Sequence, residues 1–336
     1  MLRVPVNNFL LLEQQPKAKR PVPSAPGVLI SCTVLRVRAR RLPLASRVAG
    51  AAKSPWRRAP SILPEHLLMP KTARGLNYVE NDLRPPWRTS GLPVVFNHGI
   101  GTNLGVWSAW LPIVAARHPM VRFDLRGFGG SPVPPPAHKW SMDELVDDLL
   151  EVVHTTSASK VHLVGESIGG TIVLAAALKA PERFASVSIS NASHRGTGVT
   201  NIQNWHRTYE TGGAAAWNAE MMANRFYPGA ADPAALAWFA EVQTKSDRHA
   251  VLALGALLGG MDLSDALRGF KVPLSITLPD ASPFISPAHG AEMRALVPGS
   301  RLRIVPRAKH GLPFSHAATE AEYLAAFLAE IEDGMA

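Results

Sequence analysis

The sequence predicts an α/β fold in which helices flank a mostly parallel central sheet, with a helical segment inserted late in the chain. Apolar β-like runs alternate with helix-like segments from Leu76 onward, the pattern of parallel strands joined by crossover helices. The alternation stops between Ser193 and Gly269, where only helix-like stretches occur, and it resumes near Val272. A chain of 336 residues that is 46% apolar can bury the core of such a domain.

Each element is predicted from its apolar pattern and from the residues at its boundaries. Ser141 with Glu144 three residues later is a capping box, which begins a helix. The strands are predicted at Leu76–Glu80, Pro93–Asn97, Met120–Asp124, Val161–Gly165, Phe184–Asn191, Val272–Leu278 and Leu302–Val305. The helices are predicted at Val106–His118, Ser141–Thr155, Ile168–Lys179, Ala214–Tyr227, Pro233–Val242, Arg248–Leu258 and Thr319–Ile331.

The pattern divides the chain into four parts. Residues 1–68 hold scattered Arg and repeated Pro, so we expect a basic extension with little order. It is either an organelle transit peptide or an over-extended reading frame whose true start is Met69, and we favour the second because the fold pattern begins just after Met69. Residues 69–192 and 270–336 are the two parts of the core. Residues 193–269 are the helical cap, placed over the ligand end of the sheet.

Charge and cysteine content exclude several classes of protein. The formal charge is +9, but residues 1–64 hold twelve basic side chains and one acid, so the remainder carries −2. A basic groove for nucleic acid is therefore not expected. The single cysteine, Cys32, rules out an intramolecular disulfide and favours a reducing, cytoplasmic compartment. No apolar run reaches the roughly 18–20 residues of a membrane span, so no membrane partner is expected.

The segment Gly165-Glu166-Ser167-Ile168-Gly169 is a G-x-S-x-G motif between a predicted strand and a predicted helix. That context is typical of a nucleophile elbow, where a sharp turn holds the serine in a strained backbone conformation and small neighbours are required. The sequence therefore predicts Ser167 as a nucleophile. The backbone N–H groups of Ile168 and of Ile100, which follows a strand upstream, are the predicted oxyanion donors.

His310 follows the last predicted strand and precedes the last predicted helix. In folds built on such an elbow the base comes late in the chain, so we predict that His310 accepts the Ser167 proton and returns it to the leaving group. His98 lies beside the predicted oxyanion loop, and we expect it to brace that loop rather than to react.

From about Leu76 to Ile331 the chain resembles the α/β-hydrolase family, and within it the 3-oxoadipate enol-lactonase group and related small esterases. The matching segments are Asn97–Asn103 with Trp107, Asp124–Gly129, the Ser167 elbow, Ser190–Ser193 and Lys309–Gly311. The resemblance implies a serine hydrolase that cleaves a small carboxylic ester or lactone through an acyl-enzyme.

One position departs from the family pattern. The resemblance implies an acid after the penultimate strand, but Ser282 stands at that position and Asp280 lies two residues earlier. We expect Asp280 to reach His310, because a carboxylate that fixes the histidine tautomer is worth up to about 10⁴ in turnover. The alternatives are that Asp262 or Asp265 substitutes, or that the acid is missing.

Four residues are candidates for substrate contact: Trp107, His194, Trp205 and Arg225, the arginine being suited to a substrate carboxylate. The histidines show no metal-ligand spacing and no G-x-G-x-x-G or Walker loop occurs, so no metal and no cofactor are expected. Two other functions stay open. One is a C–C bond hydrolase or cofactor-free haloperoxidase on the same elbow, and the other is a catalytically weak, ligand-binding homologue. The sequence leaves the physiological substrate and the oligomeric state open.

Overall fold

The computed structural model describes residues 70–199 and 202–335. The predicted basic extension at 1–68 and the predicted start at Met69 lie outside the described residues. Within them, no helix is both long enough and apolar enough to cross a membrane.

Seven strands form one sheet in the order β1-β3-β2-β4-β5-β6-β7, with β1 antiparallel to β3 and the other pairs parallel. Each predicted strand is confirmed, with ends displaced by at most two residues, a difference within the scatter of strand assignment. The strands are β1 (Tyr78–Asn81), β2 (Val94–Asn97), β3 (Met120–Phe123), β4 (Val161–Glu166), β5 (Phe184–Ser190), β6 (Leu274–Pro279) and β7 (Arg301–Val305).

Ten α-helices occur in the described residues: α1 (Leu111–Val114), α2 (Met142–Thr155), α3 (Ile168–Lys179), α4 (Trp205–Arg225), α5 (Pro233–Thr244), α6 (Arg248–Gly260), α7 (Ser264–Leu267), α8 (Pro287–Leu296), α9 (Leu312–Ser315) and α10 (Ala317–Asp333). The α2 cap is confirmed, because the Ser141 hydroxyl accepts the Glu144 N–H. The α8 helix was not predicted.

Two predicted helices differ from the observed ones. The helix predicted at Val106–His118 is a 3₁₀ segment, Leu104–Trp110, followed by the single turn of α1. The Asn103 side chain caps the 3₁₀ segment by accepting the Gly105 N–H. The helix predicted at Ala214–Tyr227 begins earlier, at Trp205, and changes direction at Gly213, whose φ of 65° is readily adopted only by glycine.

The sheet is buried on both faces, and alternate residues of its strands belong to two separate apolar cores. Val95 and Leu163 pack with α2 and α3 on one face. Phe96 and Val164 pack on the other face with the 3₁₀ segment and α10. Strands that are almost continuously apolar predict such a parallel sheet, with helices packed on both of its faces.

Helices α4, α5 and α6 lie between β5 and β6 in the chain, in the segment predicted to be a cap. In its described part, at 193–199 and 202–269, the only β-type pairing is the isolated bridge between Arg195 and Asp262. Trp205 and Tyr209 pack on Trp217, with ring centroids 5.7 and 5.3 Å apart, so the two halves of α4 on either side of Gly213 contact each other through aromatic rings. The division into core and cap remains a prediction.

The strand order places a crevice at the carboxyl end of the sheet. The parallel part of the sheet begins with β2, to which β3 is added on one side and then β4 on the other. In open α/β sheets, ligands bind outside the carboxyl ends of the strands at such a switch point. The loop after β2 and the turn after β4 both lie here.

Candidate active site

Ser167 occupies a strained turn between β4 and α3. Its φ and ψ are 56° and −126°, a conformation that a non-glycine residue holds only where the surroundings enforce it. A Cβ at Gly165 would lie 2.5 Å from the Gly169 carbonyl oxygen, and one at Gly169 would lie 2.5 Å from the Asn97 carbonyl oxygen. The glycines therefore allow α3 to approach both strands, as the elbow requires.

His310 lies against Ser167, with Nε2 3.2 Å from the serine Oγ. The histidine is held from two sides: the Asn191 side chain donates to its carbonyl oxygen at 2.5 Å, and the Phe284 ring packs against the imidazole with centroids 4.8 Å apart. Burial, together with the positive charge of Arg225, lowers the His310 pKa well below its usual value. The imidazole is therefore neutral at physiological pH, the form that accepts a proton.

Ser282 occupies the other side of the imidazole, with its Oγ 3.2 Å from Nδ1 of His310. The same oxygen accepts the backbone N–H groups of Phe284 and Ile285, at 3.2 and 3.3 Å. The hydroxyl is thus fixed by the loop that follows β6 and stands where the resemblance implied a carboxylate.

The expectation that Asp280 reaches His310 is wrong. Its carboxylate accepts the backbone N–H groups of Arg307 and Ala308, at 2.9 and 3.2 Å, and so joins the loops after β6 and β7. Because Asp280 is exposed and turned toward those amides, Ser282 faces the imidazole instead.

The two alternative acids are wrong as well. Asp262 is exposed and accepts the N–H of Ser264, and Asp265 is fully exposed and pairs with Arg268. Both lie in the segment between β5 and β6, where they cap or flank the short helix α7 rather than approach His310.

Glu166 is the carboxylate that sequence reasoning missed. It is buried beside the nucleophile, with Oε1 3.8 Å from Nε2 of His310 and 3.8 Å from Nη1 of Arg225. Burial raises its pKa to about 7, against the opposing effects of Arg225, the Gly99 N–H and Asn191. A Cβ at Gly99 would lie 2.2 Å from Glu166 Oε2, so glycine at this position admits the carboxylate.

Arg225 carries its charge into the interior from the end of α4. Its Nη2 donates to the Ile100 carbonyl at 2.8 Å, and burial lowers its pKa while Glu166 opposes that shift. This bond links the last turn of α4 to the predicted oxyanion loop.

The loop after β2 is braced by His98, as expected. The Leu125 N–H donates to its Nε2 at 2.9 Å, and its Nδ1 lies 2.8 Å from the Gly99 carbonyl. Ile100 lies in this loop, and Ile168 is the first residue of α3 after the nucleophile. Their assignment as oxyanion donors remains a prediction.

Ser167 and His310 line a narrow cavity. Trp205 and Arg225, two of the predicted substrate contacts, line it. The remaining wall is mainly apolar and comes from the loop after β2, from the segment between β5 and β6 and from the loop after β6: Ile100, Val199, Ile202, Met221, Leu258, Phe284 and Ile285. A wider groove elsewhere on the molecule includes neither Ser167 nor His310.

The other two predicted contacts do not line this cavity. Trp107 is fully buried in the second apolar core, where it packs against Phe96 and Trp110 at 5.1 and 5.2 Å. His194 is buried against His289, with ring centroids 4.4 Å apart. Trp107 instead lines a separate small cavity together with Glu166 and Arg225.

A family model described as "alpha/beta hydrolase fold" matches residues 93–253. Among solved structures, the enol-lactonase from Burkholderia xenovorans LB400 is similar, with a TM-score of 0.67 over 76% of this chain and 96% of that one at 22% identity. The chain has the α/β-hydrolase fold. The predicted fold class is thereby confirmed, and so is the predicted resemblance.

The curated relatives of this chain match over part of their length. A RutD protein of Caulobacter segnis, provisionally named a carbamate hydrolase, is 31% identical over 110 residues, which are 32% of this chain and 41% of that protein. The 3-oxoadipate enol-lactonase 1 of Acinetobacter baylyi is 27% identical over 100 residues, 30% of this chain and 36% of that protein. The matched segment thus spans about two fifths or less of these relatives.

Proposed function

We propose that this α/β-hydrolase is a serine hydrolase that cleaves small carboxylic esters or lactones. The observation that carries the proposal is the 3.2 Å contact between Ser167 Oγ and His310 Nε2 at a strained strand-to-helix turn. A hydroxyl within hydrogen-bond reach of a neutral imidazole is the arrangement of an activated nucleophile.

In the proposed reaction, Ser167 Oγ attacks the substrate carbonyl carbon as its proton passes to His310 Nε2. The Ile100 and Ile168 amides stabilise the oxyanion, each donor contributing about 3 kcal/mol to the transition state. The imidazolium then protonates the leaving alcohol oxygen, which leaves an acyl-enzyme. A water molecule, deprotonated by His310, releases the acid and restores the serine.

Ser282 orients the imidazole in this scheme without adding a negative charge. Proton acceptance at Nε2 requires the proton to reside on Nδ1, from where it would donate to Ser282 Oγ. That oxygen already accepts the Phe284 and Ile285 amides, so it is better suited to donate its own proton to Nδ1. Ser282 therefore holds the ring in place but favours the reactive tautomer less than a carboxylate would.

Glu166 is the residue we propose to stabilise the imidazolium electrostatically. Its Oε1 is 3.8 Å from the nitrogen that receives the proton, and in this buried setting a charge interaction is screened little by water. Arg225 on its other side favours the ionised carboxylate.

The lining of the cavity suggests the substrate class. Its wall is mainly apolar and comes largely from cap helices, which suits a small ester or lactone with an apolar acyl group. Relatives carry the names carbamate hydrolase, enol-lactonase and methyl ester esterase. Small-molecule hydrolysis in the cytoplasm remains part of the proposal.

A second candidate function is a catalytically weak protein that binds ligands in the same cavity. The hydroxyl of Ser282 at the place of the acid favours it, because loss of a triad acid leaves binding intact while slowing acyl transfer.

A fluorophosphonate probe separates the two candidates. We expect rapid labelling of the wild-type protein and turnover of p-nitrophenyl butyrate, with both lost in Ser167→Ala. The serine-hydrolase proposal fails if the alanine variant retains the wild-type rate. Absent labelling, combined with a rise in melting temperature when a lactone is added, would instead support the ligand-binding protein.

A further inference from the structure

Two histidines and a glutamate from distant parts of the chain lie close together at the amino-terminal ends of the parallel strands. His118 lies two residues before the start of β3, His162 is the second residue of β4, and Glu332 lies near the end of α10. One ligand atom from each lies within 4.8 Å of the others. The spacing of these residues along the chain did not indicate a metal site, because only the fold brings them together.

The distances from the carboxylate to the two rings are close to the separation of ligand atoms around one metal ion. Glu332 Oε1 lies 3.3 Å from His162 Nε2 and 3.6 Å from His118 Nδ1. A tetrahedral Zn²⁺ with bonds of about 2.0–2.2 Å separates its ligand atoms by roughly 3.4 Å. The side chains therefore need to move little to share one ion.

Hydrogen bonds behind the group orient all three side chains. His118 Nδ1 lies 3.1 Å from the Leu92 carbonyl, and His162 Nδ1 lies 2.7 Å from the Ser186 hydroxyl. A proton on His162 Nδ1 directed toward that hydroxyl leaves the lone pair of His162 Nε2 for a ligand. In His118 the nitrogen beside Glu332 is Nδ1 itself, which would bind the ion in place of its contact with the Leu92 carbonyl. The Leu92 N–H donates to Glu332 Oε1 at 2.8 Å. Such outer bonds commonly fix the rings and carboxylates that bind metals.

The chemistry of the donor set also suits a cation. Imidazole nitrogens and a carboxylate oxygen, the three donors brought together here, are the common ligands of Zn²⁺.

We propose that His118, His162 and Glu332 bind a divalent transition metal of the Zn²⁺ class at the amino-terminal edge of the sheet. Imidazole and carboxylate donors suit first-row divalent ions. Both rings are almost fully buried, whereas the Glu332 side chain is 26% exposed, which provides an entry path and room for a water ligand. The metal would join α10 to the amino-terminal ends of β3 and β4.

This site is separate from the proposed active site. His162 and Ser167 lie five residues apart at opposite ends of β4, roughly 16 Å for an extended strand. The role we assign to the metal is structural, because its ligands come from positions 118, 162 and 332 and binding would stabilise the folded chain. The proposal is independent of the hydrolase proposal.

Zinc titration of the chelator-treated full-length protein tests the proposal. We expect one tight site by calorimetry and a rise in melting temperature of roughly 5 °C or more at a hundredfold excess over the Kd. Glu332→Gln, which keeps the side-chain shape, should weaken that site at least about tenfold. Glu330→Gln is the matched control, since Glu330 lies on the same helix but pairs with Arg301 at the surface.

Cobalt substitution gives a second readout that is independent of stability. Co²⁺ bound by two imidazoles and a carboxylate should show visible d–d absorption in the wild type and in Glu330→Gln but not in Glu332→Gln or His118→Gln. Circular dichroism of each variant without metal shows whether it is folded. The proposal is overturned if the wild type shows no single site, or if the two glutamate variants bind zinc equally well. In either case the side chains are joined only by hydrogen bonds such as the one between His162 and Glu332.

Discussion

The hydroxyl of Ser282 lies 3.2 Å from Nδ1 of His310, on the side of the ring opposite Ser167. A neutral group thus occupies the place that a carboxylate takes in a complete triad. The distance is suitable for a hydrogen bond, so the geometry of a triad is present while one of its charges is missing. The rate and the pH dependence of the proposed reaction both depend on this substitution.

Ser282→Asp should accelerate the hydrolysis of p-nitrophenyl butyrate. A carboxylate at this position would accept the Nδ1 proton, leave Nε2 as the base and stabilise the imidazolium. We expect kcat to rise at least tenfold, within the factor of about 10⁴ that a triad acid can contribute. Steady-state kinetics measure the effect. Ser282→Asn, similar in shape but uncharged, should show no such rise, and equal rates in both variants would contradict the prediction.

In Glu166→Gln, which removes the titration of Glu166 near pH 7, the acid limb of the pH profile should lie well below pH 6.5. Burial and the charge of Arg225 lower the His310 pKa, so the base stays neutral as the pH falls. In Ser282→Asp the new negative charge favours the imidazolium, which should move the acid limb to higher pH. The logarithm of kcat/KM plotted against pH provides the test. An acid limb at or above pH 6.5 in Glu166→Gln would be inconsistent with a buried neutral base.

Asp280→Ala should reduce stability but not catalysis. The change leaves the Arg307 and Ala308 amides without their shared acceptor, a loss of about 1–2 kcal/mol in the free energy of unfolding. Urea denaturation measures the loss. We expect kcat/KM to stay within about twofold, because Asp280 does not contact His310. Asp265→Ala, at a fully exposed position, is the control; a large drop in kcat for Asp280→Ala alone would restore Asp280 as the acid.

Glu166→Gln should remove a pH dependence of stability. Burial raises the Glu166 pKa from 4.5 to about 7, so between these values the folded protein binds more protons at this site than the unfolded chain. The contribution of Glu166 to stability is therefore full below about pH 4.5 and declines as the pH rises to about 7. Glutamine imitates the protonated acid at every pH.

The difference in unfolding free energy between Glu166→Gln and the wild type should therefore grow in favour of the variant from about pH 4.5 to about pH 7. Denaturation at several pH values measures it. A constant difference would show that the carboxyl titrates normally. Loss of kcat in the same variant at pH 8, where the wild-type carboxylate is ionised, would support its proposed role beside His310.

Gly99→Ala should damage both folding and catalysis. The added methyl group would lie 2.2 Å from Glu166 Oε2 and 2.9 Å from Ser167 Cβ. We expect a loss of about 1–3 kcal/mol from overpacking, with a fall in turnover as Ser167 is displaced. Gly299→Ala adds a methyl group where nothing lies within 4 Å and serves as the control. Wild-type stability of Gly99→Ala would mean that the carboxylate has another position.

The sequence by itself determined the strands and the position of the elbow. Strands such as β4 follow from short apolar runs between turn residues, because burial on both faces is a local property of such a run. The strained serine follows from its glycine neighbours, since backbone conformations are governed by adjacent residues. The place of His310 follows from chain order. The α8 helix escaped prediction because its sequence of ten residues carries little apolar periodicity.

Only the tertiary structure decided which side chains meet. Asp280 and Ser282 are two residues apart in one loop, and the amides of the loop after β7 determine which of them faces His310. The burial of Glu166 and the approach of His118 to His162 also depend on packing between distant segments. Periodicity and spacing report local structure, whereas these contacts depend on how strands and helices far apart in the chain pack in space.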